Sequence, residues 1–419
     1  MKRNFLFLVL MLAFAGLMVQ QANGLQESER TQRQAESLQQ PVLLGIEQTS
    51  TYLPLLKGKN IALVVNQTSV FPAKSQERPR NLNSFSGAGT HLVDTLLSLQ
   101  IQVKKIFSPE HGFRGNAEAG ATINNSTDSK TGLPVISLYG KNKKPTQEML
   151  KGIDVVVFDL QDVGTRFYTY ISTLQYVMEA CAEAKIPLVI FDRPNPNGFY
   201  IDGPVLDTSL RSFVGMQPVP IVHGMTVGEY AQMLLGEKWV NGALELIVIP
   251  IQNYDRKKTY KLSVAPSPNL STMLSIKCYP TLCLFEGTVV SVGRGTQKPF
   301  VCYGFPECKI GNFEFTPVSI KGVAENPPYK NVKCKGYVID PTMVRVRSIN
   351  IQLEWIIEMY NAYPDKDKFF TSFFDKLAGT KTLQQQIKQG KTADEIRASW
   401  QPALKEFKEM RKKYLLYDE

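Results

Sequence analysis

The feature of this sequence that most limits its fold is a regular alternation of strand-like and helix-like segments from residue 41 onward. Short runs rich in Val, Ile and Leu are separated by longer runs with helical periodicity. Such runs are typical of strands buried on both faces of a parallel sheet, with helices as connections. The strand-like runs lie at 61–65, 103–107, 134–138, 154–158, 187–191 and 246–249, and helical patterns include 91–99, 167–184 and 226–235. The sequence therefore predicts a mainly parallel α/β sheet.

The length of 419 residues is enough for two domains, and 43% hydrophobic with 21% charged residues allows a sizeable core. We predict that residues 41–250 form the α/β domain. Residues 251–419 are predicted to form a smaller α+β domain that ends in helices. The pattern behind the second prediction is a strand-like run at 332–339 followed by helical patterns at 349–360, 382–389 and 393–413.

The N-terminus has the pattern of a secretory signal peptide, because Lys2 and Arg3 precede an apolar run at 5–19 and small residues at 22–24. A membrane anchor is the alternative, but the run is short and its far flank is polar. We predict a signal peptide over 1–24, a flexible lead-in over 25–40, and an exported protein without stable membrane insertion after cleavage. Removing the two basic residues lowers the net charge from +10 to +8. That excess suits an anionic polymer such as cell wall but does not argue nucleic-acid binding.

The six cysteines and three histidines set limits on disulfides and metal binding. Five cysteines lie from residue 278 onward, and either disulfide pairing or buried free thiols would suit an exported protein of this size. Neither the cysteine spacing nor the few histidines indicate a zinc site. The first strand is not followed by a Gly-x-Gly-x-x-Gly motif, so no nucleotide or other cofactor is predicted.

Polar residues follow four of the predicted strands. In a parallel sheet these strand ends lie along one edge, so we expect the groups to converge on a shared site. The groups are Asn66 to Thr68 after the first strand, Glu110 and His111 after 103–107, Asp159, Gln161, Asp162 and Arg166 after 154–158, and 192–198 after 187–191.

Paired carboxylates are the usual catalytic groups for cleaving a glycosidic bond. Glu110 and Asp162 follow strand ends, and Glu286 would reach the site from the second domain; Asp159 and Asp192 are weaker candidates. A serine hydrolase is less supported, because the chain has no Gly-x-Ser-x-Gly motif. Metal-dependent hydrolysis is disfavoured by the shortage of histidines.

Several long motifs, in the same order, closely resemble those of the NamZ-type exo-β-N-acetylmuramidases, glycoside hydrolase family 171, formerly a domain of unknown function. The resemblance runs from about residue 45 to 417, with Glu47 as a small departure where Asp is expected. The motifs are SPEHGFRG at 108–115, DLQDVGTRFYTY at 159–170, DRPNPNG at 192–198, PIVHGMT at 220–226 and LFEGT at 284–288.

The resemblance implies a Rossmann-like N-terminal domain, a smaller second domain and an active-site cleft between them. It implies release of N-acetylmuramic acid from the non-reducing ends of peptidoglycan-derived glycans, with Glu110 catalytic. Retention, inversion and a substrate-assisted route all stay open. The candidate catalytic residues are Glu110, Asp162 and Glu286, and the candidate substrate-binding residues are Asn66, His111, Arg114, Arg166, Tyr168, Arg193, Asn195, His223 and Arg294.

Two other functions fit the same cleft: a hexosaminidase that prefers N-acetylglucosamine, and a non-catalytic protein that binds cell-wall sugars. Muramic acid differs from glucosamine by a lactyl ether that carries a carboxylate, and an arginine can bind a carboxylate through two parallel hydrogen bonds. The candidates for binding the lactyl group are Arg166, Arg193 and Arg294, with Arg166 the first choice. The alternative for Arg166 is an internal ion pair with Asp162, four residues earlier.

Overall fold

A parallel β-sheet forms the centre of the fold, as the sequence predicts. The computed structural model describes residues 40–73, 85, 87–113, 125–258, 260–342 and 350–419. The strands are β1 (Asn60–Val65), β2 (Val70–Pro72), β3 (Ala88–His91), β4 (Gln102–Ser108), β5 (Ser126–Thr127), β6 (Pro134–Ser137), β7 (Val155–Asp159), β8 (Leu188–Phe191), β9 (Asp202–Val205), β10 (Pro220–Val222), β11 (Leu246–Ile249), β12 (Cys302–Phe305), β13 (Phe313–Phe315) and β14 (Cys334–Val338).

The main sheet has seven strands in the order β11-β8-β7-β1-β4-β6-β5. Every neighbouring pair is parallel except β5 with β6 at one edge. The chain starts in the middle at β1, moves outward through β4 and β6, and then returns to β7 on the other side of β1. This is the strand order of a Rossmann-like sheet, so the predicted fold class is confirmed. The carboxyl ends of β4, β6 and β7 lie along one edge of the sheet.

Helices connect these strands and continue through the second half of the chain. The longer helices of the sheet region begin close to their predicted starts. The helices are α1 (Thr49–Leu56), α2 (Leu92–Ser98), α3 (Gln147–Leu150), α4 (Tyr170–Ala184), α5 (Val227–Gly236), α6 (Met273–Leu282), α7 (Leu353–Ala362), α8 (Phe374–Ala378), α9 (Thr382–Lys388) and α10 (Ala393–Lys412).

The start of α5 shows how the local sequence sets a boundary. Thr226 accepts a hydrogen bond from the Glu229 backbone amide at 3.3 Å, and the Glu229 carboxylate accepts one from the Thr226 amide at 2.9 Å. Two amides that a helix N-terminus leaves unpaired are satisfied in this way. The helix accordingly begins at Val227, next to the start of the helical pattern predicted at 226–235.

We call residues 44–251 the sheet region and residues 255–419 the C-terminal region; together they form one compact unit. The C-terminal region holds a small antiparallel sheet in the order β12-β14-β13, with helices α6 to α10. A continuous hydrophobic core contains side chains of both regions, from Ala62 to Phe407. Residues 40–43 and 252–254 form a separate small unit, in which Leu43 and Gln252 make an antiparallel bridge.

The six cysteines are all buried free thiols in the structure, which settles the alternative that the sequence left open. Among the described helices, none is long and apolar enough to cross a membrane. The predicted signal peptide and all but the last residue of the predicted lead-in lie outside the described residues.

Candidate active site

The turn that follows β4 presents Glu110 and His111 at the edge of the sheet. The Gly112 amide donates to the Pro109 carbonyl at 3.2 Å, which closes the turn around these two residues. His111 has a φ of 72°, in the left-handed region that non-glycine residues rarely occupy. A backbone conformation of this kind has a cost and is found most often at functional sites. The turn is therefore specified by the fold around it and holds Glu110 half-buried.

Glu110 is held by two hydroxyl-bearing side chains. The Thr169 hydroxyl donates to Glu110 Oε2 at 2.7 Å, and Thr169 is the N-cap residue of α4. The carboxylate thus lies at a helix N-terminus, where the helix dipole favours negative charge. Burial, and then the charge of Glu110, raise the pKa of the Tyr139 hydroxyl, so that it stays protonated and able to donate.

A second carboxylate comes from the C-terminal region. Glu286 lies in the short 3-10 helix Cys283–Gly287 that follows α6. Arg294 binds it with two hydrogen bonds, Nε to Oε1 at 2.5 Å and Nη2 to Oε2 at 3.3 Å. The Arg294 guanidinium carbon also lies 4.9 Å from the centre of the Phe300 ring. The two-point contact fixes the orientation of Glu286 as an anion.

Cys283 lies beside this carboxylate, with its Sγ 3.6 Å from Glu286 Oε2. Burial, and then the charge of Glu286, raise the pKa of the Cys283 thiol well above its ordinary value. A thiolate is the reactive form of cysteine, so a thiol held protonated is a poor nucleophile. Cys283 is therefore not a candidate nucleophile.

Both carboxylates line one cleft of about 570 Å³. The volume lies in the range of small-molecule sites. The wall combines hydrogen-bonding groups with aromatic rings, the combination that sugar rings need for their hydroxyl edges and apolar faces. The polar and aromatic lining residues include Glu110, His111, Tyr139, Lys143, Phe167, Tyr168, Thr169, Phe213, Tyr279, Glu286, Arg294, Phe300 and Phe373.

Tyr168 is a lining residue whose hydroxyl is already used. It donates to the Pro266 carbonyl at 2.9 Å, and its ring packs edge-on against Tyr279 with the ring centres 5.9 Å apart. Tyr168 is thus a buried residue of the cleft wall with its hydroxyl already hydrogen-bonded. Of the twelve predicted site residues, the cleft brings together Glu110, His111, Tyr168, Glu286 and Arg294.

The two arginines favoured by the sequence are not in the cleft lining, which corrects the prediction that Arg166 or Arg193 faces the ligand. Arg166 is fully buried and donates to the carbonyls of Pro204, Val219 and Leu377 at 2.8–2.9 Å. Arg193 is equally buried and makes a two-point ion pair with Asp159, at 2.5 and 2.9 Å. Each guanidinium group is therefore bound by other groups of the protein.

Asp162 is also outside the cleft lining. Its Oδ2 accepts a hydrogen bond from the Gly164 amide at 2.6 Å, and its buried Oδ1 has no hydrogen-bond partner among the described residues. Burial raises the pKa of Asp162 to about 7. Asp162 is thus not among the residues that line the cleft, and its catalytic role stays a prediction.

Three further predicted residues have structural contacts. Asn66 donates to the Tyr170 hydroxyl at 2.6 Å, and Asn195 donates to the Met225 carbonyl at 2.8 Å. His223 is buried, and burial followed by nearby arginine charges lowers its pKa to about 3, so it is neutral. Arg114, the remaining prediction, lies outside the described residues.

The sequence reasoning missed several lining residues, among them Tyr139, Lys143 and Thr169. Thr169 sits inside the 159–170 motif, and Tyr139 directly follows the strand-like run 134–138, so position gave a usable signal for both. Phe373, a further lining residue that was not predicted, is 39% exposed. In the part of the chain that the structure describes, no group of three metal-binding side chains comes together.

Comparison with known proteins decides the family. The family sequence model for the N-terminal part of the exo-β-N-acetylmuramidase NamZ matches residues 61–274. The family sequence model for its C-terminal part matches residues 277–417. The chain belongs to the NamZ family. The first NamZ model covers Glu110 and Thr169, and the second covers Glu286 and Arg294, so the two matched parts meet in the cleft.

Two kinds of relative support this membership. The chain is 39% identical to the peptidoglycan β-N-acetylmuramidase NamZ of Bacillus subtilis strain 168, over 87% of this chain and 89% of the relative. It also resembles crystal structures of two DUF1343 family proteins from Bacteroides fragilis NCTC 9343. The first has a TM-score of 0.81 and 43% identity over 91% of this chain and 100% of its own. The second has a TM-score of 0.74 and 28% identity over 90% and 99%.

Proposed function

We propose that this NamZ-family protein is an exo-acting glycoside hydrolase that removes N-acetylmuramic acid from the non-reducing ends of peptidoglycan fragments. The observation that carries the proposal is the pair of carboxylates, Glu110 and Glu286, brought to one cleft by the two matched parts of the chain. Glycosidic cleavage uses two carboxyl groups on either side of the scissile bond. The activity named for the Bacillus subtilis relative supplies the substrate class.

Glu110 is the general acid and base in this proposal. It would protonate the glycosidic oxygen as the bond to the leaving group breaks, and later take a proton from the attacking group. The Thr169 hydroxyl holds Oε2 at 2.7 Å, which orients the carboxyl group. The protonated Tyr139 hydroxyl supplies a further donor beside it.

Glu286 is the anion that faces the developing positive charge on the sugar. The transition state of glycoside hydrolysis resembles an oxocarbenium ion, which a fixed carboxylate stabilises. Arg294 fixes Glu286 through its two hydrogen bonds and therefore acts on the sugar through Glu286. The aromatic residues Tyr168 and Phe213 would pack against the apolar face of the ring.

We place the protein outside the cytoplasmic membrane, where its substrate lies. The support is the pattern of residues 1–24, with two basic residues, an apolar run and small residues at the end. Release of the mature chain would leave a net charge of +8, which suits an anionic wall polymer.

The decisive test is hydrolysis of two chromogenic β-glycosides by the purified protein, one of N-acetylmuramic acid and one of N-acetylglucosamine. The proposal expects release from the muramic acid glycoside with the higher kcat/KM. Preference for the glucosamine glycoside would indicate the hexosaminidase alternative. Binding of both sugars without release of either would indicate a sugar-binding protein. Digestion of a defined glycan should yield single N-acetylmuramic acid units from the non-reducing end, and internal cuts would contradict the exo-action.

A further inference from the structure

The segment between β6 and α3 forms one wall of the cleft and brings a lysine to it. Tyr139 and Lys143 from this segment both line the cleft. The Lys143 ammonium nitrogen lies 4.6 Å from the centre of the Phe213 ring. The Phe213 ring is itself held by Tyr139 and by Tyr176, with ring centres 6.1 Å apart in both cases. The Phe213 ring, packed against two tyrosine rings, therefore positions the ammonium group.

Among the described residues of the cleft, this lysine has no carboxylate partner. The described lining of the cleft contains one lysine, Lys143, and one arginine, Arg294. Arg294 forms an ion pair with Glu286. Lys143 forms no ion pair with a carboxylate among the described residues, whereas the adjacent Lys144 pairs with Glu179 and Glu183. The contact with Phe213 orients Lys143 without neutralising it. A cation of this kind is available to an anionic group of the ligand.

We propose that Lys143 binds the carboxylate of the terminal sugar and so distinguishes the lactyl-bearing muramic acid from uncharged hexosamines. This inference rests on the proposed function. It deepens that function, because it names the group that reads the feature by which the two sugars differ. Of the three arginines predicted for this task, Arg166 and Arg193 make internal contacts, and Arg294 lines the cleft but is bound to Glu286.

The position of Lys143 relative to Glu110 suits the proposal. The Tyr139 hydroxyl lies near the Glu110 carboxylate, and the Tyr139 ring packs on the Phe213 ring that carries Lys143. Glu110 and Lys143 are thus separated along the wall by two aromatic side chains. A sugar whose anomeric oxygen meets Glu110 would carry its ring substituents along this wall toward the ammonium group.

The test compares a chromogenic N-acetylmuramic acid glycoside with the same glycoside whose lactyl carboxylate is a methyl ester, which removes the negative charge and adds one methyl group. Lys143→Met keeps a flexible chain over Phe213 and removes the charge. We expect the variant to lose roughly 10-fold in kcat/KM on the acid, because a partly exposed ion pair is screened, and no more than about 2-fold on the ester. Lys141→Met, in the same segment but outside the cleft lining, should change neither.

An unchanged rate on the acid, or an equal loss on acid and ester, would overturn the role of Lys143. Calorimetric binding of free N-acetylmuramic acid and its methyl ester separates this inference from the proposed function. If the wild-type protein hydrolyses neither glycoside, the proposed function fails, and the titrations still decide the inference. It stands if Lys143→Met weakens binding of the acid and not of the ester, and falls if both are bound as in the wild type.

Discussion

The Thr169 hydroxyl donates to Glu110 Oε2 at 2.7 Å, although Thr169 is the N-cap residue of α4 and makes no side-chain capping bond to its own helix. A capping bond of this kind contributes about 1 kcal/mol to helix stability. The helix has given up that bond, and the hydroxyl orients a carboxyl group of the cleft instead.

Thr169 should therefore behave as a positioning residue for Glu110. We expect Thr169→Val to lower kcat roughly 10-fold with a small change in KM, because the carboxyl group loses one oriented hydrogen bond. Thr169→Ser keeps the hydroxyl and should recover most of the rate. The measurement is the kcat and KM of both variants with their pH profiles. Equal activity of the valine variant and the wild type would show that the bond has no catalytic part.

Glu110→Gln is the direct test of the acid and base. Gln retains the shape and can still accept from Thr169, but it cannot transfer a proton. The rate should fall roughly 10²–10⁴-fold. The melting temperature should stay close to that of the wild type, because the hydrogen bond to Thr169 is kept. A folded variant with wild-type turnover would remove Glu110 from the mechanism.

Glu286 and Arg294 should act as a unit, since the guanidinium holds both oxygens of the carboxylate. We expect Glu286→Gln and Arg294→Met each to depress kcat, while the double variant is no worse than the poorer single variant. Both side chains are partly exposed, so the melting temperature should change little. Independent, additive losses would show that Arg294 contacts the substrate separately. A large loss of stability with activity preserved would make Glu286 structural.

The alternation of strands and helices was sufficient to predict the parallel sheet, because strands buried on both faces have few other folds available. The same pattern predicted that polar residues lie along one edge of the sheet. The pattern could not show which of these side chains would form ion pairs with each other. Arg193 follows β8 and Asp159 ends β7. Because these strands are neighbours, the two side chains form an ion pair in which their charges are neutralised. Glu110 follows β4 and instead meets Thr169.

The contacts of the C-terminal region were harder to predict. Glu286 and Arg294 are eight residues apart, and no local periodicity brings that spacing together. Within the sheet region, Lys143 gave no signal in the sequence either, because the ring that it contacts, Phe213, is seventy positions away in the chain. Such contacts are set by tertiary packing, which a single sequence does not display.

A substitution of Arg166 tests whether this residue is structural, as its buried position indicates. Its guanidinium joins the Pro204 and Val219 carbonyls of the sheet region to the Leu377 carbonyl of the C-terminal region. Arg166→Met would remove one donor from each of three buried carbonyls, of which Val219 still accepts from the Leu206 amide at 3.1 Å. We expect a cost of roughly 2–5 kcal/mol of stability. Thermal melting measures this loss. Any change in kcat/KM of the folded fraction should be equal on the muramic acid and glucosamine glycosides; a loss confined to the former would restore Arg166 as the lactyl-binding residue.

Asp162 leads to a prediction about the pH dependence of stability. Burial raises its pKa from an ordinary 3.8 to about 7 in the folded protein. Between these values the folded state holds a proton that the unfolded chain has released. The free energy of unfolding therefore falls as the pH rises through this window, on the order of 1 kcal/mol per pH unit.

Asp162→Asn removes this titration while its side-chain oxygen can still accept from the Gly164 amide. We expect the variant to gain stability relative to the wild type from about pH 4 to about pH 7, measured by melting temperature at each pH. Asp192, whose pKa burial raises to about 6, titrates in both proteins and so cancels in the comparison. Activity should persist, because Asp162 lies outside the cleft lining. A parallel pH dependence in the two proteins would contradict the assigned titration, and a folded variant that had lost about 100-fold or more in rate would return Asp162 to the catalytic groups.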